Sequence, residues 1–177
     1  MLQVGRILGI TDPLIWQAIR GFRGLEHRLE HVATIRGVAF VNDSKSTTPE
    51  SSIYALSRTR GEVVVILGGR DKGLDFQTLA HRLHESQVKG VVLIGESRAT
   101  LRALLNGDTT VRECDTLEEA VRAAAALAGP GATVLFSPAC ASFDMFRDFE
   151  DRGRAFKRIV DSLAAERGVR SAECGAK

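Results

Sequence analysis

The sequence predicts an α/β protein: a mostly parallel sheet of about six strands, helices on both faces, and one hairpin-linked antiparallel strand at an edge. Three observations carry this. From Glu62 onward, short β-branched runs alternate with longer stretches of helical periodicity, the rhythm of βαβ units. The run at 62–67 is, after Glu62, apolar without alternation, as a strand covered on both faces is. The runs at 29–35 and 38–43 flank Arg36-Gly37, which is hairpin spacing, although Arg-Gly is a weaker turn signal than Asn-Gly.

The elements follow in order. Thr11-Asp12-Pro13 offers an N-cap with proline at the first helical position. Leu14, Ile15, Ala18 and Ile19 recur at helical spacing, and Gly21 and Gly24 close that element. After the hairpin comes a polar loop at 44–48, and Pro49 and Glu50 then open a helix to about Ser57. The strand at 62–67 stops at Gly68-Gly69-Arg70-Asp71-Lys72-Gly73. Helix 76–85, strand 90–94, helix 97–105, strand 109–113, helix 117–128 and strand 133–136 follow. A long final helix is expected from near Asp144 to about Ala165, with a small, polar tail at 171–177 that is expected to fray. Phe76, Phe146, Phe149 and Phe156 are expected in the core, and Trp16 there or at a domain contact.

A chain of 177 residues, 44% hydrophobic and 26% charged, suits one ordinary globular domain with short extensions. The formal net charge of +2 comes from interleaved acids and bases, which argues against a nucleic-acid or membrane-surface protein. The longest apolar runs, at 63–67 and 123–128, fall far short of the ~20 residues that span a bilayer. Cys114, Cys140 and Cys174 form no C-x-x-C pair and no secretory signal stands at the start, so free thiols in a reducing cytoplasm are expected.

In a sheet of this kind ligands sit at the C-terminal ends of strands. Three loops fall there. Asn42-Asp43-Ser44-Lys45-Ser46-Thr47-Thr48 packs a carboxylate, an ammonium and four hydroxyls into seven residues. Asp43 is placed to accept from ribose hydroxyls, and Lys45 and Thr47 to hold a carboxylate or phosphate; an N-cap and a solvated loop are the plainer alternative. In Gly68-Gly69-Arg70-Asp71-Lys72-Gly73, glycines let backbone N–H groups approach an anion and Lys72 adds a point charge. This is not the G-x-x-x-x-G-K-[ST] phosphate loop, since Gly73 and Leu74 follow Lys72. The third loop, Ser137-Pro138-Ala139-Cys140-Ala141-Ser142, leads into a helix N-terminus, where anions are favoured, with Ser142 as a further donor. No histidine is near Cys140 in sequence, so it reads as a buried small thiol rather than a nucleophile. His27 reads as structural, His81 and His84 as surface residues, and the four histidines form no metal cluster.

Taken together, Gly24-Leu25-Glu26-His27-Arg28, Asn42-Asp43-Ser44-Lys45-Ser46-Thr47, Leu67-Gly68-Gly69 with Lys72, and Ser137 to Ser142 continuing through Phe149-Glu150-Asp151-Arg152-Gly153 resemble the C-terminal domain of the Mur ligase family. The last segment is the most specific to the D-glutamate-adding branch. The resemblance, over residues 11 to about 163, implies a Rossmann-like domain that closes over a central ATPase domain. It implies ATP-dependent addition of D-glutamate to UDP-N-acetylmuramoyl-L-alanine through an acyl phosphate, with Mg²⁺, in the cytoplasm. Arg28 and Asp43 would contact the nucleotide, Asp43 through ribose. Thr47 and Lys72 would hold the α-carboxylate of D-glutamate, Ser142 and the Phe149 N–H its side-chain carboxylate, and Lys45 belongs to the same site as its catalytic lysine.

The same resemblance implies a division: residues 1–23 as the last helix of a central domain, 24–165 as the C-terminal domain, 166–177 as a flexible tail. The family's phosphate loop, metal ligands and modified lysine have no match here, so this chain alone is expected to be inactive unless the other domains are supplied in trans. Another Mur or folylpolyglutamate-type ligase domain, and a non-catalytic module for nucleotide or acidic ligands, stand as alternatives.

Overall fold

The computed structural model describes residues 2–22, 24–85, 87–105 and 109–168. Helices α1 (Leu2–Ile7) and α2 (Asp12–Gly21) precede strands β1 (Glu30–Ile35) and β2 (Val38–Asn42). Then come α3 (Pro49–Arg58), β3 (Val63–Gly68), α4 (Gln77–Leu83), β4 (Val88–Ile94), α5 (Arg98–Leu104), β5 (Val111–Glu113), α6 (Leu117–Leu127), β6 (Thr133–Phe136) and α7 (Phe149–Glu166). The six-stranded sheet has the order β1-β2-β6-β3-β4-β5, with β1 antiparallel to β2 and every other pair parallel. The expected α/β architecture, including its antiparallel edge strand, is the one found.

The hairpin works because Arg36 and Gly37 both take positive φ, 51° and 80°. That is what a two-residue turn matched to strand twist requires, so the arginine accepts a left-handed conformation that asparagine would hold more cheaply. In β3 all six residues are buried. Val64 and Ile66 enter a core shared with Val121, Phe156 and Val160, while Val63, Val65 and Leu67 enter another with Leu56, Leu79 and Leu101. The period of two thus divides one apolar run between helices α6 and α7 on one face and α3, α4 and α5 on the other.

β6 lies between β2 and β3, with Phe136 level with Asn42 on one side and Ile66 on the other. The loops that follow β2, β6 and β3 therefore leave the same sheet edge as neighbours. Local chemistry shapes their exits. Thr48 caps α3 by accepting from the Ser51 N–H, and Thr116 with Glu119 forms a reciprocal capping box on α6.

Four expectations need correcting or placing. The final helix starts at Phe149, not near Asp144: the Met145 and Phe146 N–H groups both fold back onto the Ser142 carbonyl, and Asp148 caps the helix through the Asp151 N–H at 2.6 Å. Trp16 is 44% exposed and not in the core, because α1 and α2 pack mainly on each other. Phe76 and Phe156 are core residues, whereas Phe146 and Phe149 are only half-buried. The tail at 171–177 and Cys174 lie outside the described residues, while Cys114 and Cys140 are free. Residues 1–23, expected to hold one helix, hold two, α1 and α2. No helix among the described residues is long and apolar enough to cross a membrane.

Candidate functional site

Asp43 follows β2 directly, and its N–H continues the ladder to the Phe136 carbonyl at 2.8 Å. Its side chain is buried. Oδ1 accepts from the Leu29 N–H at 3.1 Å; Oδ2 accepts from the Ser46 hydroxyl at 2.5 Å and from the Ser137 hydroxyl at 2.8 Å. Burial pushes its pKa above the ordinary carboxylate value, outweighing those bonds and the nearby Arg28 charge. The carboxylate faces a cleft of about 330 Å³ whose walls include Arg28, Lys45, Glu50 and Tyr54. Arg28 and Lys45 are exposed cations in that cleft.

What joins this loop to the loop after β6 is Arg152, in the first turns of α7. It is 1% exposed. Its Nε–H donates to the Ser44 hydroxyl at 3.1 Å, Nη2 to the Ser44 carbonyl at 2.9 Å and Nη1 to the Cys140 carbonyl at 3.1 Å. The Ser44 hydroxyl in turn donates to the Phe149 carbonyl at 2.8 Å. One planar guanidinium therefore spans the loop after β2 and the loop after β6, a use that suits its fixed fork of donors. Burial lowers its pKa to about 10, which still leaves it charged at neutral pH.

The loop after β3 is stitched to the same frame. Gly68 N–H donates to the Pro138 carbonyl at 2.8 Å and Arg70 N–H to the Ala141 carbonyl at 2.9 Å. Between them Gly69 has φ +141°, and a Cβ there would lie 2.2 Å from the Ala141 oxygen and 3.2 Å from Arg152 Nη1. Only glycine fits that approach.

The predicted residues fall as follows. Lys45 Nζ sits 4.1 Å from the centre of the Phe149 ring, a cation–π contact that brings the loop after β2 onto the start of α7. Phe149 is the first helical residue, so its N–H belongs to the turn left without an intrahelical acceptor. Ser142 is buried, Thr47 half-buried and Lys72 exposed. Arg28, Asp43 and Lys45 share one cleft, and Lys45 and Phe149 touch. No hydrogen bond or ion pair among the described residues joins Lys72 to any of them.

Behind Arg28 lies a second buried group. His27 takes φ 63° and is 3% exposed; its Nδ1 pairs with Asn42 Nδ2 at 2.9 Å, and a Cβ on Gly153 would lie 2.2 Å from that nitrogen. Ligand atoms of Glu26, His27 and Glu30 lie within 4.8 Å of one another, but Lys157 Nζ already bonds the two glutamates at 3.0 and 2.6 Å. The cluster is an ion-pair network with its cation in place. Cys140 is buried beside Ser97 Oγ at 3.3 Å, and burial raises its pKa to about 11, so at neutral pH it is a thiol and a poor nucleophile. The histidines His81 and His84 are exposed, as expected.

Sequence reasoning did not assign roles to Arg152, Ser137 or Asn42. One signal for Arg152 was present: it stands in the stripe of α7 that also carries Gly153, Phe156, Val160 and Leu163. A charge inside an apolar stripe marks a buried, partnered cation.

The sequence model of the family described as "Mur ligase, glutamate ligase domain" matches residues 27–140. A UDP-N-acetylmuramoylalanine–D-glutamate ligase from Chlorobium phaeobacteroides is 49% identical over 158 residues, covering 89% of this chain and 34% of that protein. One from Aquifex aeolicus is 44% identical over 155 residues, covering 87% of this chain and 37% of its own length. The chain thus spans about a third of the length of the curated relatives it matches. Among solved structures, the UDP-N-acetylmuramate–alanine ligase of Thermotoga maritima superposes with a TM-score of 0.66 at 17% identity, over 92% of this chain and 36% of that one, a likeness of fold.

Proposed function

The chain belongs to the Mur ligase family, and from that premise we propose that it is the C-terminal domain of the ATP-dependent ligase that adds D-glutamate to UDP-N-acetylmuramoyl-L-alanine in peptidoglycan precursor synthesis, a cytoplasmic reaction. The observation that carries this reading is the convergence of three strand-end loops on one edge, two tied by Arg152 and the third by the Gly68 and Arg70 N–H groups, offering cations, hydroxyls and N–H groups together. An amino acid with two carboxylates needs such a set.

In this reading Arg28 and Asp43 hold the nucleotide, Asp43 by accepting from ribose. Thr47 and Lys72 hold the α-carboxylate of D-glutamate. The Ser142 hydroxyl and the Phe149 N–H hold its side-chain carboxylate, the latter with the favourable end of the α7 dipole. Lys45, fixed over the Phe149 ring, neutralises charge between the two ligands. The amine of D-glutamate attacks the acyl-phosphate carbonyl, the new C–N bond forms, the C–O bond to phosphate breaks, and the amine proton goes to solvent. The domain's share is positioning and charge stabilisation.

Residues 24–165 form the working domain in this proposal, 166–177 an extension, and 1–23 the end of a neighbouring ATPase domain. The apolar face of α1 and α2, with Val4, Leu8, Leu14 and Phe22 exposed around a groove of about 500 Å³, supports that assignment. The ATP phosphates and Mg²⁺ are assigned to the part of the relatives' length that this chain does not match.

The test is a chimera in which this chain replaces the matching third of the Chlorobium phaeobacteroides ligase. We expect ATP-dependent phosphate release with D-glutamate and UDP-N-acetylmuramoyl-L-alanine, and none from the chain alone. A chimera that prefers another amino acid would overturn the D-glutamate assignment; turnover by the chain alone would overturn the proposed division of labour.

A further inference from the structure

Asp43 cannot hold a ribose by itself. A carboxylate offers about four acceptor positions. Both positions on Asp43 Oδ2 are taken, by the Ser46 and Ser137 hydroxyls, and one on Oδ1 is taken by the Leu29 N–H. One remains. A ribose presents two neighbouring hydroxyls, and a carboxylate that recognises the pair needs a free position for each.

The cleft supplies a second carboxylate. Glu50 and Tyr54 stand four residues apart on α3, hence on one face, and both line the cleft with Asp43. Glu50 is exposed, and among the described residues it makes no hydrogen bond or ion pair. Two of the cleft's neutral hydroxyls are already engaged: Ser46 donates to Asp43, and Ser51 Oγ pairs with Thr48 Oγ1 at 3.1 Å. A charged acceptor bonds a hydroxyl more strongly than these. Tyr54 is 62% exposed, a large ring left open on the cleft wall next to that carboxylate.

We propose that Glu50 is a nucleotide-binding residue: it accepts the ribose hydroxyl that Asp43 has no free position to take, with the Tyr54 ring as the adjoining wall. The inference rests on the nucleotide reading of Arg28 and Asp43. The competing role for Glu50 is local, since a carboxylate in the first turn of α3 also favours that helix end.

The experiment is a titration of the whole 177-residue chain with ADP and with 2′,3′-dideoxy-ADP, followed by backbone amide NMR, for the native protein, Glu50→Gln and Glu50→Ala. ADP should shift the amides near Arg28, Asp43 and Glu50. Glu50→Ala should weaken ADP about tenfold, with Glu50→Gln between it and the native chain. Neither substitution should weaken the dideoxy compound further. Equal losses for both ligands, or unchanged ADP binding, would overturn the role of Glu50 and leave the nucleotide reading standing. No response near Arg28 and Asp43 in this chain, together with unchanged ADP affinity on Asp43→Ala in the ligase chimera, would overturn that reading and this inference with it. A purely helix-end role would lower the melting temperature of Glu50→Ala without changing the ratio of the two affinities.

Discussion

Arg152 grips Ser44 twice, through Nε to the hydroxyl at 3.1 Å and through Nη2 to the carbonyl at 2.9 Å, across 108 residues of sequence. With its third donor on the Cys140 carbonyl, it fixes the distance between the loop that carries Lys45 and the loop that carries Ser142.

Replacing Arg152 with methionine keeps much of the volume and strands two buried carbonyls, those of Ser44 and Cys140, while the Ser44 hydroxyl keeps its bond to the Phe149 carbonyl. Each unsatisfied group costs roughly 1–3 kcal/mol, so Arg152→Met is expected to lower the unfolding free energy by about 3 kcal/mol. Arg152→Lys keeps the charge and loses the fork, and should lose nearly as much. Denaturant titration checks both. A loss within ~0.5 kcal/mol, the range of an ordinary surface substitution, would show that the tie is not needed.

Asp43 gives a pH signature. Its folded-state pKa is raised, chiefly by burial, above the ~3.9 of an unfolded aspartate. Between those two values the folded state holds the proton and the unfolded state has lost it. Stability from this group is therefore highest at low pH and falls as pH rises through the window just above the ordinary carboxylate value. Asp43→Asn removes that slope. Unfolding free energies of the two proteins across pH 4 to 7 should converge or cross as pH falls; a constant difference would contradict the shift.

Two glycines in one loop should behave differently. Gly69→Ala puts a methyl 2.2 Å from the Ala141 oxygen, at φ +141°. Backbone would have to move, so a loss above ~2 kcal/mol or failure to fold is expected. Gly73 has φ +72° with nothing near its missing Cβ, and Gly73→Ala should cost only the left-handed penalty of about 1–2 kcal/mol. Thermal unfolding ranks them, and the reverse order would mean that the approach of the loops after β3 and β6 is not tight.

Lys72 is exposed and unpartnered by hydrogen bond among the described residues, so its removal should leave stability unchanged within ~0.5 kcal/mol. In the ligase chimera, Lys72→Ala should raise the KM for D-glutamate by about tenfold or more, since a charge-assisted bond to a carboxylate is lost. Unchanged KM and kcat would remove Lys72 from the amino-acid site.

Most of the architecture was legible because it is periodic. The continuous apolar run of β3, the helical spacing of α6 and the closely joined pair β1–β2 each state their environment locally. The end of α7 was legible for the same reason. Its start was not: Asp144 and Asp148 are both good caps in sequence, and only the return of two N–H groups to Ser142 decides between them. Helix α1 is short and its apolar residues are mostly exposed, so its few residues at helical spacing do not mark it off from α2.

By itself the sequence determined the α/β class, the three strand-end loops, and the residue types that make them candidates for a nucleotide and an acidic amino acid. The tertiary structure alone decided how those loops are held to one another. Arg152, Ser137 and Asn42 act at separations of 108, 94 and 15 residues from Ser44, Asp43 and His27. A local pattern reports the period of an element and the identity of its caps. It does not report which distant carbonyl a buried guanidinium meets, or how many positions of a buried carboxylate its own scaffold has already used.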